Sequence, residues 1–527
     1  MLSRNNLKFR KDWDITKENF IGWVSNNSLK KFIQKNCTID NLSLWWATKL
    51  VSKDNVNFPD WFVDLKKVFC EKNYQVSRKS FFWLRFSFKF FYNLFKQILW
   101  TIFIKIFSFS RFRNYKFDNC FHSYNYDFSL KDNEFYNRLY GKIYTHYNIK
   151  KNIHIVSNIK KIFFLQNYLN FSKNDNLVNL DEYVSLKEIL KINLITIISL
   201  FKILKFIKKN EKVFVIKKKN CTNILKPFFL NSFCGEIQTS ILMALSVKNF
   251  LEDKEFKNFI TYGEFTPMYR PTYFYVKKLR NKPKIITFQH GQGNSLFNFS
   301  KKEEFSLNSN LAGKEYSPSP DKYFVQGKNF YKNIKKFYRG TIKIIGSPRY
   351  DDIVFKRKKL KLDGVNKKKK NILICTSVGD HKDILDLVSR SANKQHNYIL
   401  SPHPDNKKKV FSLYENKFKS KVHFSILNNY STAQLIQVSD LVITGLSHAC
   451  IEAQLIGIPS IRVANPAKPD YLDHKDQIKV IYTSNELKKV LRKKNFKLYK
   501  IKKIKKLIKD YFLYLDNKAY KRFWKYI

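Results

Sequence analysis

Short runs rich in β-branched and aromatic residues recur along the chain from about residue 150, and longer polar or helical stretches separate them. Nearly continuous apolar strands that alternate with helices are typical of a parallel sheet with helices on both faces. The pattern therefore predicts a Rossmann-like α/β domain for this part of the chain. The expected strands are IHIV at Ile153, VFVI at Val213, FITY at Phe259, KIITF at Lys284, KYFVQG at Lys322 and IKIIG at Ile342.

A second series of the same kind follows a polar, basic linker at Lys356–Lys370. Helical stretches again separate the strands, so the series predicts a second doubly wound domain. Two such domains would face a cleft bordered by the carboxyl ends of their strands, where open α/β sheets bind ligands. The expected strands begin at Asn371, Asn397, His423, Asp440, Pro459 and Ile478.

These patterns divide the chain into four parts. The fold class predicted is α/β, with two Rossmann-like doubly wound domains and a helical, aromatic-rich N-terminal region. The expected boundaries are 1–148 for the helical, membrane-proximal region, 149–355 and 371–483 for the two Rossmann-like domains, and 484–527 for basic C-terminal helices.

The 527 residues carry a formal net charge of +57. One interpretation is a lysine-rich background composition; the other is attraction to an anionic partner such as a phospholipid surface, a nucleic acid or a phosphorylated substrate. No aromatic–basic platform and no known nucleic-acid-binding module is evident in the sequence, so no nucleic-acid partner is predicted.

The aromatic segment Phe81–Phe109 is the best candidate for membrane contact. Its apolar runs are shorter than the roughly 20 residues that a spanning helix needs. On a helical wheel Arg85, Lys89 and Lys96 fall within a narrow arc, and apolar residues cover most of the rest. This pattern favours a helix in the membrane interface, and the alternative is a core helix whose lysines extend to solvent. A weaker second candidate is Ile192–Lys209.

The seven cysteines contain no CxxC pair, which argues against a disulfide framework or a structural zinc site and suits a reducing cytoplasm. The first twenty residues lack the apolar core of a signal peptide. We therefore expect a cytoplasmic protein, peripheral at the inner face of the plasma membrane.

The stretch NYILSPHPDNKKK contains the first candidate site residue, His403. Ser401 and His403 both precede proline, which favours an extended backbone past the strand end, and Pro404 suits the first position of a helix. His403 would then lie at a helix N-terminus, where a phosphate could contact both the helix N–H groups and the imidazole. The alternative is a structural turn with an incidental histidine.

The stretch SDLVITGLSHACIEAQLIGIPSI contains a similar strand-to-helix turn. Ser447 is a suitable N-cap, His448 follows it, and Glu452 lies about one turn into the helix, where it could accept hydrogen bonds from ribose hydroxyls. Ser377, at the end of the strand that begins at Asn371, completes the predicted donor-binding set. The alternative for Glu452 is a solvated helix residue.

Two further candidates follow strands of the first domain. Glu264 comes after FITYG, and a carboxylate there could accept a proton from an attacking hydroxyl. His290 lies in QHGQGN, whose glycines suggest close approach of a substrate but do not match a dinucleotide fingerprint. The sequence contains no HExxH, GxSxG or Walker loop, and no metal site or cofactor is predicted.

Taken in order, Gln-His-Gly at 289–291, YFVQG, IIGSPRYD, the His-Pro motif and SDLVITGLSHACIEAQLIGIP resemble GT-B glycosyltransferases of bacterial surface carbohydrate (capsule and O-antigen) biosynthesis. The resemblance covers roughly residues 255 to 465, and LSLWWATKL near the N-terminus is also similar. Capsule Kdo transferases, bacterial sialyltransferases and CDP-glycerol glycerophosphotransferases share parts of the pattern.

The resemblance implies a nucleotide-sugar donor bound mainly by the second domain and an acceptor domain before it. It places His403 and Ser447 on the donor phosphate and makes Glu264 the nearest match to the base, although the acidic motif of the sialyltransferases is not reproduced. His290 is assigned to the acceptor or the donor phosphate.

The expected activity is metal-independent transfer of a sugar to a lipid-linked or glycan acceptor, with a Kdo-like or nonulosonic acid donor linked to CMP as the leading case. The alternatives are a CDP-polyol phosphotransferase and a non-catalytic, basic membrane- or nucleic-acid-binding protein.

Overall fold

The computed structural model contains two compact units, each with its own parallel sheet. One unit comprises Met1–Lys11, Gln292–Asn294 and Ile353–Phe512, and the other comprises Asp12–Gly291, Ser295–Asp352 and Leu513–Ile527. The residues that the structure describes are 4–51, 60–71, 74, 82–107, 117–124, 128–131, 134–137, 139–145, 151–157, 177–262, 266–289, 318–336, 338, 340–351, 366, 368–377, 379–403, 407–427, 430–465, 478–493, 496, 505–506 and 508–527.

The larger unit is built on a seven-stranded sheet in which every neighbouring pair of strands is parallel. The spatial order is β7-β6-β5-β4-β1-β2-β3, the doubly wound order in which the chain reverses direction beside its first strand. The strands are β1 (Asn119–Tyr124), β2 (Asn152–Ser157), β3 (Leu177–Asn179), β4 (Asn258–Thr261), β5 (Lys284–Phe288), β6 (Lys322–Val325) and β7 (Thr341–Ile344).

The smaller unit is built on a five-stranded parallel sheet with the order β9-β8-β10-β11-β12. Separate apolar cores lie on its two faces, because side chains of successive strand residues point to opposite sides. Both faces are therefore covered, as a parallel sheet requires. The strands are β8 (Lys370–Cys375), β9 (His396–Ser401), β10 (Leu441–Thr444), β11 (Ser460–Val463) and β12 (Lys479–Ile481).

The helices separate the strands and also form most of the described N-terminal part. They are α1 (Arg4–Asn26), α2 (Ser28–Asn36), α3 (Asp60–Cys70), α4 (Phe82–Phe107), α5 (Lys142–Thr145), α6 (Leu186–Lys209), α7 (Thr222–Leu230), α8 (Glu236–Leu251), α9 (Tyr269–Val276), α10 (Lys328–Ile334), α11 (His381–Ser391), α12 (Lys407–Leu413), α13 (Thr432–Gln437), α14 (Ala449–Leu455), α15 (Ser484–Leu491) and α16 (Ala519–Tyr526). Short antiparallel ladders pair Thr38–Ile39 with Leu42–Ser43, Phe128–Lys131 with Glu134–Asn137, and Val215–Ile216 with Lys219–Asn220.

One described helical stretch, Thr222–Leu251, is long and apolar enough to cross a membrane. Its most apolar window is 78% buried inside the protein, as is usual for a core helix. The stretch includes α7 and α8, and Gly235 between them has a φ of +118°. Length and composition therefore give weak support for a membrane span here.

Several polar side chains inside the seven-stranded sheet hydrogen-bond to one another across the strands. Asn258 Nδ2 donates to Asn119 Oδ1 (2.8 Å), and Asn119 Nδ2 donates to Asn152 Oδ1 (2.9 Å). Between β4 and β5, the Thr261 hydroxyl donates to Thr287 (3.1 Å). Such pairing allows a buried sheet to contain polar residues without leaving their donors and acceptors unmatched.

The α/β class with two Rossmann-like units is confirmed by these two sheets, and most predicted strands form. Two expected strands do not join the parallel sheets. In the run VFVI, Val213 and Phe214 lie in a 3₁₀ turn and Val215–Ile216 pair only with Lys219–Asn220. The stretch after His423 contributes a single bridge from Ser425 to Ile399. Strand β1 was not predicted, because its buried His122 and Ser123 interrupt the apolar pattern. The linker residues 356–365 lie outside the described residues.

Candidate functional site

Four strand ends form a row at the carboxyl edge of the five-stranded sheet. In the strand registers Ser401 pairs with Cys375, Cys375 with Thr444, and Thr444 with Arg462. Strands β9 and β10 lie on opposite sides of β8 in the sheet. The connection after β8 leads to one side and the connection after β9 leads to the other, which leaves a crevice between the ends of β8 and β10. Open α/β sheets bind ligands at such a point.

Asp380 joins the two loops at this point. Its carboxylate accepts hydrogen bonds from the N–H of Ser377 (2.6 Å), which follows β8, and from the N–H of Leu446 (2.5 Å), which follows β10. A Cβ on Gly445 would lie 2.3 Å from Asp380 Oδ2, so this position requires glycine for the carboxylate to come this close. Burial raises the pKa of Asp380, while the two N–H donors act in the opposite direction.

Two hydroxyls are buried beside this bridge. Thr376 is only 3% exposed and its Oγ1 makes no hydrogen bond to any described residue, and Ser377 is 8% exposed with its hydroxyl beside the Asp380 carboxylate. Buried hydroxyls are normally paired, because an unpaired one loses its bonds to water without replacement. At a strand-end crevice, such groups are suited to binding a polar ligand.

His403 lies two residues past the end of β9 and is partly exposed. The Ser401 hydroxyl is 2.8 Å from Thr432 Oγ1 at the start of α13, which ties the strand end to the next loop. The described helix begins at Lys407, and Pro404 lies outside the described residues. The N-cap position of His403 therefore stays a prediction.

Ser447 and His448 form the turn from β10 into α14. The N-cap is His448, one residue later than the sequence suggested, but Ser447 Oγ still accepts a hydrogen bond from the N–H of Ala449 (3.3 Å). Glu452 lies in the first turn of α14, as predicted. Its charge raises the pKa of the Cys375 thiol, second to burial, so the carboxylate acts on the strand ends.

Arg462 is fully buried on β11, and its Nε donates to the carbonyl of Gly445 (3.0 Å). A guanidinium stays charged at any pH in which the protein is folded, so this edge holds a fixed positive charge. The guanidinium offsets part of the negative charge of Asp380 and Glu452 at the same edge, and the N–H groups of the bridged loops add donors for an anionic group.

The thiols at this edge are poor nucleophiles. Burial raises the pKa of Cys450 to about 11 and that of Cys375 well above its usual value. The thiolate is the reactive form of cysteine, so neither residue is suited to covalent catalysis near neutral pH. The edge offers donors, acceptors and charge for binding instead.

Six of the nine predicted site residues lie within the described residues, and all six are in the five-stranded unit: Ser377, Ser401, His403, Ser447, His448 and Glu452. Glu264, His290 and Pro404 lie outside the described residues, so their roles stay predictions. Among the described residues no group of three His, Cys, Asp or Glu could hold a metal ion.

Sequence reasoning missed Asp380 and Arg462. The signal for Arg462 was present, because it is the single charged residue inside the apolar run PSIRVA, where a buried charge requires a partner. Asp380 gave no such signal, since it precedes a helix and resembles an ordinary N-cap. Its side chain makes no cap hydrogen bond and bonds to the loops instead.

No protein-family model matches the chain, and no curated protein matches it in sequence. Among solved structures the chain is similar to the wall teichoic acid polymerase TagF (13% identity, 82% of this chain and 97% of that chain, TM-score 0.41). It is also similar to UDP-GlcNAc 2-epimerase from Neisseria meningitidis (11% identity, 77% and 98%, TM-score 0.41) and to MurG from Acinetobacter baumannii (10%, 71% and 89%, TM-score 0.35). At these values the similarities assign neither a family nor a function.

Proposed function

We propose that the carboxyl edge of the five-stranded sheet binds the nucleotide diphosphate or monophosphate part of an activated sugar, and that the protein is a glycosyltransferase of surface carbohydrate biosynthesis. The observation that carries the proposal is the Asp380 bridge between the loops after β8 and β10, with the hydroxyls of Thr376 and Ser377 buried beside it. The order of sequence motifs adds the chemical class of the ligand.

Each group at the edge has a definite task in this proposal. Ser377 and Ser447 donate hydrogen bonds to phosphate oxygens, and His403 adds a donor that strengthens as negative charge develops on the leaving phosphate. Glu452 accepts from the ribose hydroxyls. Asp380 contacts no ligand; it holds the two loops at a fixed separation, which reduces the entropy lost on binding.

Transfer needs a base for the acceptor hydroxyl, and the motif order gives this role to Glu264, with His290 as the partner that contacts the acceptor or the donor phosphate. The reaction proposed is metal-independent and uses a lipid-linked or glycan acceptor at the cytoplasmic side of the membrane. A Glu264→Gln protein with unchanged turnover would remove Glu264 from this role, and the same comparison applies to His290→Ala.

The first test is nucleotide binding by the full-length protein. We expect CMP or CDP to raise the melting temperature and UDP to raise it less. A response to CMP supports the CMP-linked acid sugars, and a stronger response to CDP supports the polyol-phosphate donor. No response to any nucleotide would contradict the proposal and leave the non-catalytic alternative.

The second test uses a matched pair of histidines in the same unit. His403→Ala should weaken cytidine nucleotide binding about tenfold or more, because a hydrogen bond to a charged phosphate is removed. His423→Ala, at an exposed position away from the strand ends, should leave binding unchanged. Equal affinities for the two variants would exclude the phosphate contact.

A further inference from the structure

Helices α4 and α6 expose apolar side chains along most of their length. The exposed fractions of these side chains lie between 39% and 74%. The residues on α4 are Trp83, Leu84, Phe88, Phe91, Tyr92, Phe95, Leu99, Ile102 and Ile106, and those on α6 are Leu190, Leu194, Ile198 and Phe201. Both helices lie in the larger unit.

The inner sides of these two helices combine buried apolar residues, such as Phe90 and Ile203, with uncharged polar residues. On α4 the polar residues are Asn93, Gln97 and Thr101, and on α6 they are Asn193, Thr196 and Ser199. Asn193 Nδ2 lies 3.3 Å from Gln97 Oε1, so the inner sides of the two helices meet. Surface helices of soluble proteins have a polar outer side, whereas the outer sides of α4 and α6 are largely apolar.

Two further contacts hold α4 in this orientation. Asn93 Nδ2 donates to the carbonyl of Cys234 (2.5 Å), and a Cβ on Gly235 would lie 2.7 Å from the same nitrogen. Trp100 Nε1 donates to Asp181 Oδ2 (3.0 Å). Because the inner side is fixed by specific hydrogen bonds, the outward apolar side cannot be reversed by rotating the helix.

Positive charges border the apolar side. At about 100° per residue, Arg85, Lys89 and Lys96 of α4 occupy an arc between its exposed apolar residues and its buried side. The last two turns of α6 add exposed Lys202, Lys205, Lys208 and Lys209 beside Phe201. Aromatic and aliphatic side chains with a lysine border fit the boundary between phospholipid head groups and acyl chains.

The positive charges around the apolar side distinguish between two possible occupants of this face, a second copy of the chain and an anionic lipid surface. A second copy of the chain would bring the same cations against these, and like charges across an interface oppose association. Anionic lipid head groups would instead neutralise them. A spanning position does not fit, because one side of each helix packs against the rest of the unit.

We propose that α4 and α6 form one membrane-docking face, which lies in the interface of an anionic leaflet with its apolar side chains at the level of the upper acyl chains. The face includes α6, which the sequence indicated only as a weaker candidate for membrane contact. The membrane-docking proposal does not depend on the glycosyltransferase proposal.

The test is sedimentation of the full-length protein with vesicles of phosphatidylcholine, with and without phosphatidylglycerol. We expect binding to the mixed vesicles and much weaker binding to phosphatidylcholine alone. Phe88→Ser with Phe95→Ser should reduce partitioning into the mixed vesicles at least about tenfold, since two large apolar groups are withdrawn from the lipid. Ile15→Ser, at an exposed apolar position on α1, should have no effect.

The role of the lysines beside the apolar side is tested by a second matched pair of double variants. Lys202→Gln with Lys205→Gln should lower the affinity for mixed vesicles by roughly 30-fold, taking about 1 kcal/mol for each lysine near the surface. Lys408→Gln with Lys409→Gln, on the exposed side of α12, should change it little. The phenylalanine variant distinguishes docking from general attraction by the net charge.

Two results would overturn the proposal. One is binding to mixed vesicles that the phenylalanine variant leaves intact. The other is a wild-type dimer in light scattering that the phenylalanine variant converts to a monomer, which would make the face a contact between copies. Unchanged melting temperatures show that the variants fold, and an unchanged nucleotide response shows that the proposed active site is intact.

Discussion

Two groups of buried polar side chains, one in each sheet, differ in their hydrogen bonding. In the seven-stranded sheet Asn119, Asn152 and Asn258 bond to one another across three strands. At the carboxyl edge of the five-stranded sheet the buried Thr376 hydroxyl makes no hydrogen bond among the described residues, and the buried Ser377 hydroxyl lies beside the Asp380 carboxylate. Paired polar groups specify how strands align, whereas unpaired ones at a strand-end crevice are available for a ligand. The comparison predicts that substitutions in the asparagine group affect stability alone. Substitutions around the hydroxyls at the carboxyl edge should also affect nucleotide binding.

The largest expected effect concerns two histidines in the seven-stranded sheet, His122 and His154. Burial lowers the pKa of His122 to about 3 and that of His154 well below its usual value. Because each histidine is held neutral in the folded protein, its effect on the free energy of unfolding is fully favourable above the unfolded-state pKa near 6.5. The free energy of unfolding then decreases as the pH falls toward the folded-state pKa. Together we expect a loss of about 3 kcal/mol between pH 6.5 and pH 5, since the slope rises toward about 1.4 kcal/mol per histidine per pH unit only below pH 6.5.

Tryptophan fluorescence can measure this loss in one unit. All eight tryptophans belong to the unit with the seven-stranded sheet, so urea titrations at different pH values report on it alone. His122→Gln, which cannot be protonated in this range, should remove about half of the pH dependence. His423→Gln should leave it unchanged, and a pH-independent midpoint in the wild type would contradict the buried, neutral state of both histidines.

The second prediction compares two aspartates at opposite edges of the five-stranded sheet. Asp380→Asn places an NH₂ group against one of two buried N–H donors and should destabilise the unit by about 3 kcal/mol. It should also abolish the nucleotide response, because the two loops are no longer joined. Stability is measured by hydrogen exchange of peptides from β8 and β10 in urea.

Asp440 is the control, since its Oδ2 accepts from the N–H of Asn371 (2.9 Å) at the amino edge. Asp440→Asn should lower stability by about 1 to 2 kcal/mol and keep the nucleotide response. Loss of the response in both variants would mean that stability, not the loop bridge, controls binding.

The smallest expected effect concerns the asparagine ladder. Asn119→Ala removes the acceptor of Asn258 Nδ2 and the donor to Asn152, and should cost about 2 kcal/mol. Asn371→Ala, which removes the acceptor of the partly buried Asn397 amide (2.9 Å) in the other sheet, should cost less because water can replace the bond. Neither change should affect nucleotide binding, and a lost response in Asn119→Ala would remove the distinction between the two sheets.

Much of the fold could be predicted because most strands of both sheets are apolar runs with helices between them. Prediction failed where tertiary context decides. Strand β1 contains His122 and Ser123, which are acceptable inside the sheet only because Tyr269 (2.6 Å) and His154 (2.5 Å) pair with them. The run after His423 has a strand composition but forms one bridge only.

The candidate site, too, could be predicted from the sequence only where tertiary contacts do not decide the arrangement. Ser377, Ser401 and Ser447 could be placed at one edge from the sequence, because carboxyl ends of parallel strands meet there. Asp380 could not, since only the folded loops bring the N–H groups of Ser377 and Leu446 to one carboxylate. Helix α4 is a similar case: the arc of cations was visible on a wheel, but the contacts of Asn93 and Gln97 establish which side is inward.

The central claim is that the carboxyl edge of the five-stranded sheet is the nucleotide site. Hydrogen–deuterium exchange of the full-length protein with and without the cytidine nucleotide that raises its melting temperature tests this most directly. The account predicts new protection in peptides that cover residues 376–380, 401–403 and 445–449, with little change at the amino edge around Asn371 and Asp440. Protection confined to strand ends of the seven-stranded sheet, with none in those three peptides, would contradict it.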